Sequence, residues 1–205
     1  MSAVTLDVGD GVSLEARLSI PGDVRAGVVL CHPHPLYGGD MDSSVVARAA
    51  EACAARGVGT LRFNFRGVGG STGTHDDGRA EQDDVRAALA ELRRRLPAGT
   101  AVAVAGYSFG AAVAAAVAAD TPMAGLALIA PPIRLTPMTP PTVDGPILIV
   151  VGADDQYCPP AALKAIRDRV PRVTLTVIDG ADHFFSGGLD ELGAALEVWA
   201  AALAT

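Results

Sequence analysis

Residues 100–119 read TAVAVAGYSFGAAVAAAVAA, and no other stretch says as much about the architecture. Its first six residues are an apolar run typical of a buried strand, and its last nine are small residues typical of a closely packed helix. At the junction, residues 106–110 match G-x-S-x-G, the pattern of a nucleophile elbow, in which a strained turn lifts a serine hydroxyl clear of a sheet. The stretch therefore predicts Ser108 as a nucleophile; the alternative is a glycine-lined turn with an incidental serine.

Similar apolar runs recur on both sides of this junction, and each looks like a strand buried on both faces. The predicted strands are Ala26–Cys31, Thr60–Phe65, Thr100–Ala105, Gly125–Ala130, Ile147–Val151 and Val173–Ile178. The first predicted helix is capped by Asp42 and runs to about Arg56, and the second covers Arg79–Leu96, with Val85, Ala88, Leu89, Leu92 and Leu96 on one face. A third helix begins near Ser108, and a fourth runs from Pro160 to about Arg169. The last helix has Leu189, Leu192, Leu196, Trp199 and Leu203 on one stripe. This alternation predicts a three-layer α/β domain with a mainly parallel sheet.

The N-terminal residues follow a different pattern. Apolar and polar residues alternate over 4–8 and 12–20, on either side of Gly9-Asp10-Gly11, which predicts an antiparallel hairpin. The chain has 205 residues, no repeat and no low-complexity linker, so we expect a single domain spanning residues 1–205.

Charge and cysteine content narrow the classes of partner. Acidic residues outnumber basic ones by 23 to 16, which argues against a nucleic acid or an anionic membrane as partner, because both need a cationic face. The three cysteines are far apart, which suggests neither a disulfide framework nor a zinc knuckle. The N-terminus does not resemble a signal peptide, and no apolar run approaches the roughly 20 residues of a membrane span. We therefore expect a cytoplasmic protein; a homodimer is one oligomeric state that the sequence leaves open.

A serine hydroxyl needs a base, and parallel sheets carry their reactive groups on loops beyond the carboxyl ends of the strands. Among the four histidines, His183 lies between a late strand and the last helix, which favours it over the alternative of a surface-loop histidine. The carboxylate that orients this base should come from the loop after Ile147–Val151. Asp154 and Asp155 both follow that strand, and spacing alone does not separate them. Asp182 is a weaker rival, because a residue adjacent to the base rarely bends back to bind it.

Together these motifs resemble the α/β-hydrolase superfamily, whose triads run in the chain order Ser, Asp, His. More narrowly, the chain is similar to small uncapped hydrolases with an HPHP-x-x-GG loop, relatives of the dienelactone-hydrolase-like group. The resemblance rests on HPHPLYGG at 32–39, RFNFRGVGGS at 62–71, the GYSFG elbow, the loop over 152–159 and ADHFF at 181–185. It covers the chain from about residue 26 to the end. It implies an α/β-hydrolase fold without a cap domain and a serine hydrolase, but it does not indicate a substrate.

The resemblance also implies roles for individual residues. In the family pattern the acid lies three residues after a glycine and four before a proline. With Gly152 and Pro159 in these places, the acid corresponds to Asp155, and Asp154 is then a capping or solvent-facing neighbour. The HPHP loop occupies the position of the oxyanion-hole loop, and one donor should be the N–H of Phe109, which follows the nucleophile. Prolines have no N–H, so we expect the second donor to be His34, with Leu36 as the next choice.

Two other interpretations of these loops are weaker. His32 and His34 could bind a metal, but zinc sites normally use three or four protein ligands and no third ligand is near in the sequence. The RGVGGS stretch at 66–71 lacks both the G-x-G-x-x-G spacing and a P-loop lysine, so we interpret it as a structural loop. The sequence therefore predicts no metal and no cofactor, and it makes His32 a structural hydrogen-bonding residue.

The connection between the predicted strands Gly125–Ala130 and Ile147–Val151 limits the size of substrate that we expect the site to bind. Residues 131–146 contain six prolines, which forbid a long helix and therefore a helical cap. An uncapped site buries little of a long chain, so short acyl groups are expected. Tyr37 and Met138 are the predicted substrate-binding residues, with Ile133 and Leu135 adding to a modest apolar wall.

The predicted function is that of a serine hydrolase. It would cleave a small-molecule carboxylic ester or a related acyl substrate through Ser108, His183 and Asp155, by way of an acyl-enzyme. A non-catalytic binding protein or an acyltransferase on the same fold is the alternative, because fold does not fix function.

Overall fold

The computed structural model of the protein describes residues 1–136, 143–163 and 172–205. The strands are β1 (Ser2–Gly9), β2 (Val12–Ser19), β3 (Ala26–Cys31), β4 (Val58–Phe63), β5 (Ala101–Tyr107), β6 (Leu126–Ile129), β7 (Ile147–Gly152) and β8 (Val173–Ile178). The helices are α1 (Ser44–Ala54), α2 (Glu81–Arg95), α3 (Phe109–Ala118) and α4 (Leu189–Leu203), with a 3₁₀ turn at Pro35–Tyr37. Residues 160–163 are also helical, and the rest of the helix predicted there lies outside the described residues.

The described strands form one sheet in the order β1-β2-β4-β3-β5-β6-β7-β8. The hairpin β1–β2 is antiparallel and joins the sheet through an antiparallel pairing of β2 with β4, whereas all later neighbours are parallel. Strand β5 lies in the interior of the sheet, between β3 and β6. The prediction of a mainly parallel sheet with an antiparallel N-terminal hairpin is confirmed.

Helices cover both faces of the sheet, which explains the unbroken apolar runs of its strands. Val29 and Val104 point into a core that the residues of α2 and α3 complete, whereas Val28 and Ala103 point into a second core with α1 and α4. Because successive residues of a strand face opposite sides, both kinds of position must be apolar. Each buried leucine contributes roughly 2 kcal/mol to the free energy of folding.

The stripes predicted on the helices are the faces that pack on the sheet. All residues of the stripe predicted for Arg79–Leu96 are buried, namely Val85, Ala88, Leu89, Leu92 and Leu96. In the last helix the buried residues of the predicted stripe are Leu192, Leu196, Trp199 and Leu203. Leu189 is partly buried and packs against the second core. The predicted amphipathic patterns of these two helices are therefore confirmed.

Two local predictions were wrong. Asp42 does not cap α1: the helix begins at Ser44, Ser43 is its N-cap residue, and the Asp42 carboxylate instead lies 2.7 Å from Nη1 of Arg17. Strand β4 begins at Val58 rather than Thr60, because Val58 pairs with Ala26 at the start of β3. In both cases a contact with a residue distant in the sequence, Arg17 for Asp42 and Ala26 for Val58, determines the local structure that the sequence pattern alone did not predict.

The connection from β6 to β7 contains no helix among its described residues, 130–136 and 143–146. This agrees with the prediction that the domain has no cap. Met138, which was predicted to contact substrate, lies outside the described residues. None of the helices in the described part of the chain is long and apolar enough to cross a membrane.

Candidate active site

The turn between β5 and α3 holds Ser108 in a strained backbone conformation. Its φ of 52° and ψ of −116° lie outside the regions that non-glycine residues normally occupy, at a cost of about 1–3 kcal/mol. The turn is fixed because the N–H of Ser108 donates to the carbonyl of Ile129, at 2.9 Å, on the neighbouring strand. The hydroxyl therefore stands at the carboxyl edge of the sheet, where the predicted elbow required it.

Two glycines allow the backbone to pack this closely. A Cβ on Gly106 would collide with the carbonyl of Gly110, and a Cβ on Gly110 would lie 2.5 Å from the carbonyl oxygens of Cys31 and His32. Real Cβ atoms do not approach a carbonyl that closely. The elbow thus rests directly against the end of β3 and the start of the loop that follows it.

Ser108, His183 and Asp155 form a continuous hydrogen-bonded chain. The Oγ of Ser108 lies 3.0 Å from Nε2 of His183, and Nδ1 of His183 lies 2.8 Å from Oδ2 of Asp155. Only 6% of His183 and 2% of Asp155 are exposed. The three residues that the sequence singled out are therefore in contact, with the imidazole of His183 between the hydroxyl and the carboxylate.

The second oxygen of Asp155 is held by backbone donors. The N–H groups of Tyr157 and Cys158 donate to Oδ1 at 2.8 and 2.9 Å, leaving Oδ2 for His183. Two backbone donors on one oxygen hold the carboxylate in a single orientation. Sequence reasoning did not identify these two donors, because main-chain groups leave no signature in a pattern of side chains.

The rival carboxylates point elsewhere. Asp154 is exposed and uses its backbone N–H to bind the carbonyl of Ala181 at 3.0 Å. The carboxylate of Asp182 accepts from the N–H groups of Phe184 and Ser186, and these bonds lower its pKa. Neither carboxylate is bonded to His183, so the structure distinguishes Asp155 from both neighbours.

The loop that carries His183 is anchored to its surroundings at two points. A Cβ on Gly152 would collide with the carbonyl of Ala181, so the end of β7 packs tightly against the loop that follows β8. The hydroxyl of Tyr107 donates to the carbonyl of His183 at 3.1 Å. Burial raises the pKa of Tyr107, which keeps this hydroxyl protonated and able to donate. Tyr107, the residue before Ser108, thus holds the backbone of His183, a contact that the sequence did not reveal.

The HPHP loop lies beside the elbow that carries Ser108. The ring centroids of His34 and Phe109 are 5.0 Å apart. Neither the N–H of His34 nor that of Phe109 donates a hydrogen bond within the described residues, whereas the N–H of Leu36 is bonded to Nδ1 of His34 at 3.2 Å. The first two N–H groups are therefore free to bind a ligand oxygen, and Leu36, the second choice for a donor, is already occupied.

His32 is completely buried, and both of its ring nitrogens are in hydrogen bonds. Nε2 accepts from the N–H of Phe65 at 3.0 Å, and Nδ1 donates to the carbonyl of Pro33 at 2.6 Å. The ring therefore joins the HPHP loop to the residues that follow β4. It has no nitrogen left for a metal, which removes the basis of the His32-x-His34 interpretation.

The rim of the site is open and apolar. Tyr37 is 87% exposed on the 3₁₀ turn, and Phe184, next to His183, is 60% exposed. Leu36 and Leu135 are also large apolar side chains that face solvent. Tyr37 thus lies where it can contact a substrate, although this role stays a prediction.

The described cysteines do not compete with Ser108 as nucleophiles. Cys31, Cys53 and Cys158 are all buried and free. Burial raises the pKa of Cys53 and of Cys158 to about 12, and it raises that of Cys31 as well. A thiol reacts as a thiolate, so these groups are inert at neutral pH.

The fold and the site define the class of protein: an uncapped α/β serine hydrolase. The family described as "Serine aminopeptidase, S33" matches residues 22–144. An uncharacterized protein of Rickettsia prowazekii (strain Madrid E) is 34% identical over 197 residues, which cover 89% of this chain and 82% of the relative. The chain therefore belongs to the hydrolase family whose model matches residues 22–144.

Solved structures agree with this assignment. An α/β serine hydrolase homologue from Coxiella burnetii is 36% identical, with 96% of both chains covered and a TM-score of 0.83. A second, from Xanthomonas campestris, is described as an α/β serine hydrolase without lid; it is 34% identical, with 96% of this chain and 92% of that chain covered and a TM-score of 0.84. These comparisons confirm the predicted superfamily and the absence of a cap.

We expect the buried ring of His32 to make the protein sensitive to acid. Burial lowers its pKa from 6.5 to about 4. Below about pH 6.5 the unfolded chain binds a proton on this histidine, whereas the folded protein does not bind it until about pH 4. The free energy of unfolding therefore falls as the pH falls from about 6.5 to about 4, by up to about 3 kcal/mol in total. Urea unfolding across this range, compared with His32→Gln, measures the effect. The variant should lose less stability on acidification; parallel curves would contradict this assignment.

Proposed function

We propose that the protein hydrolyses small carboxylic esters or related acyl compounds with Ser108 as nucleophile, His183 as base and Asp155 as the acid that orients the base. The observation that carries this proposal is the hydrogen-bonded chain from Oγ of Ser108 through both nitrogens of His183 to Asp155. Chain order supports it too, since Ser, Asp and His follow each other as in other α/β-hydrolases.

In the proposed reaction, Nε2 of His183 removes the proton of Ser108 as Oγ attacks the substrate carbonyl. The carbonyl π pair moves to its oxygen, which becomes an oxyanion. When the tetrahedral intermediate collapses, His183 gives its proton to the departing alcohol, and an acyl-enzyme remains. Water then attacks the ester carbon while His183 takes its proton, and His183 returns that proton to Oγ of Ser108 as the bond to the acyl group breaks and the acid leaves.

The oxyanion would be held by the backbone N–H groups of His34 and Phe109. Two features support this assignment: both donors are free within the described residues, and the loop that carries His34 begins directly against Gly110 of the elbow. Fixed donors are effective because they need no reorganisation when the charge develops. Phe109 is also the first residue of α3, whose N-terminal end favours negative charge.

Asp155 would act through the orientation of His183. A carboxylate at Nδ1 keeps the proton on that nitrogen, which leaves Nε2 as the acceptor for the hydroxyl of Ser108. The two backbone donors on Oδ1 prevent the carboxylate from rotating. The reaction requires no metal or cofactor.

Covalent labelling tests the proposed nucleophile directly. We expect a fluorophosphonate probe to label the wild-type protein and not Ser108→Ala, because only the serine hydroxyl forms the phosphonate ester. Intact-mass spectrometry of both proteins measures the adduct, and circular dichroism checks that the variant is folded. Absence of labelling in the wild type would favour a non-catalytic binding protein, and labelling of the variant would place the nucleophile elsewhere.

The adjacent aspartates offer a matched pair of variants. Asp155→Asn should lower kcat by about 10⁴, because the amide stabilises the wrong tautomer of His183 while the geometry is kept. Asp154→Asn, on the same loop and exposed, should change kcat less than threefold, as expected for a surface substitution. Steady-state hydrolysis of nitrophenyl acetate measures both. Equal losses in the two variants would contradict the role of Asp155.

The open rim predicts the preferred chain length. Each methylene buried in a deep pocket adds about 0.8 kcal/mol of binding, but an uncapped site with exposed Tyr37 and Phe184 buries few of them. We expect kcat/KM to be highest for short acyl groups and to show no activation at an oil interface. A series of nitrophenyl esters from acetyl to long chains measures this, and a continuous rise along the series would reveal a deep acyl pocket instead.

A further inference from the structure

A buried carboxylate lies at the start of α2, outside the proposed triad. Glu81 is fully buried, and its oxygens accept from the N–H groups of Asp76 and Gly78, both at 2.8 Å. A buried charge is costly unless it is bonded, so these contacts fix both the carboxylate and the loop before α2. The sequence pattern gave no reason to single out this residue.

The side chain of His75 packs against this carboxylate. Its Nδ1 lies 2.8 Å from Oε1 of Glu81, although the contact lacks the alignment of a linear hydrogen bond. Nε2 lies 3.4 Å from the carboxylate of Asp77, which is well exposed. Only 9% of the His75 side chain is exposed. The imidazole is therefore buried between its own loop and the rest of the domain.

The other side of the His75 ring faces the residues of the proposed oxyanion hole. Its centroid is 5.0 Å from that of His34 and 5.3 Å from that of Phe109. The same loop reaches Phe109 a second time at Gly78, where a Cβ would lie 3.6 Å from the phenyl ring. Glu81, His75, His34 and Phe109 thus form a continuous set of contacts from α2 to the two proposed donors.

We propose that His75, held by Glu81, is a positioning residue that fixes the distance and orientation between the N–H groups of His34 and Phe109. This inference rests on the proposed function, because it assigns a role within the same oxyanion hole. The structure gives it a physical basis: the loop that carries His34 is not part of the sheet, and the three rings pack at ordinary aromatic distances.

The anchor of this arrangement is rigid. Asp84, one turn after Glu81, is buried and binds the guanidinium of Arg66 at 2.6 Å, which joins α2 to the loop after β4. On the other side, Nδ1 of His34 accepts from Leu36 and so fixes the ring in its own loop. Burial, with a smaller contribution from His75, lowers the pKa of His34 and keeps this nitrogen an acceptor at neutral pH.

Two variants separate positioning from simple packing. His75→Phe keeps an aromatic ring but loses the polar contact with Glu81, and Glu81→Gln keeps the shape of the partner but removes its charge. Asp77→Asn is the matched control, because it alters the exposed partner of the same ring. Each protein is assayed for kcat and KM on nitrophenyl acetate, for inhibition by a small aryl boronic acid, which forms a tetrahedral anionic adduct on serine, and for labelling by the fluorophosphonate.

Loss of one oxyanion donor costs about 10²–10³ in kcat, so a displaced donor should cost roughly tenfold or more. We expect kcat/KM to fall roughly tenfold or more in His75→Phe and in Glu81→Gln, and the boronate inhibition constant to rise by a similar factor. KM should stay within about twofold of the wild-type value, because only the transition state carries the negative charge. Asp77→Asn should behave like the wild type, and all three variants should still be labelled to completion.

Other results would overturn the inference. If His75→Phe and Glu81→Gln keep the wild-type kcat/KM and boronate affinity, the ring merely fills space. If the loss appears in KM alone, His75 contacts the ground-state substrate instead. An unlabelled wild-type protein would overturn the proposed function together with this inference, whereas a labelled wild type with unaffected variants would overturn this inference alone.

Discussion

The close approach of three backbone segments at the elbow is the constraint on which the rest of the site depends. Gly110 rests against the carbonyl groups of Cys31 and His32, while the N–H of Ser108 is bonded to Ile129 on the other neighbouring strand. The same contact that lifts the hydroxyl of Ser108 therefore also places the HPHP loop beside it. A larger residue at position 110 would separate Ser108 from His34, the proposed donor on that loop.

The remaining groups reach this point from the far half of the sheet. Strands β7 and β8 lie beyond β6 in the sheet, so Asp155, which follows β7, must reach across one strand and His183, which follows β8, across two to meet Ser108. Close packing at Gly152 and Ala181 joins their loops, and Tyr107 ties the carbonyl of His183 back to the elbow. The loops at the carboxyl edge of the sheet are thus bonded to one another as well as to their own strands. Such contacts hold the side chains of a site in a fixed geometry before a ligand binds.

Buried charges on α2 extend this network behind the site. Glu81 and Asp84 are both fully buried, and each is bonded to the long loop between β4 and α2. Such groups are expensive to bury and are stable only when all their partners are present. Their position explains how an irregular stretch of chain, residues 64–80, can present a fixed surface to His34 and Phe109.

Local pattern was enough to predict much of this protein. A strand, a glycine-lined turn and a small-residue helix around Ser108 predict an elbow, because strand and helix periods and glycine sterics are local properties. The apolar stripes of α2 and α4 could be predicted for the same reason.

The choice between Asp154 and Asp155 could not be made from spacing, because it depends on which carboxylate the backbone of Tyr157 and Cys158 holds toward His183. The wrong cap at Asp42 has a similar origin, since Arg17 is far away in the sequence. His75 and Glu81 look like ordinary loop and helix residues until the tertiary structure buries them beside His34. Contacts between residues distant in the chain leave no periodic signal, so only the folded arrangement determines them.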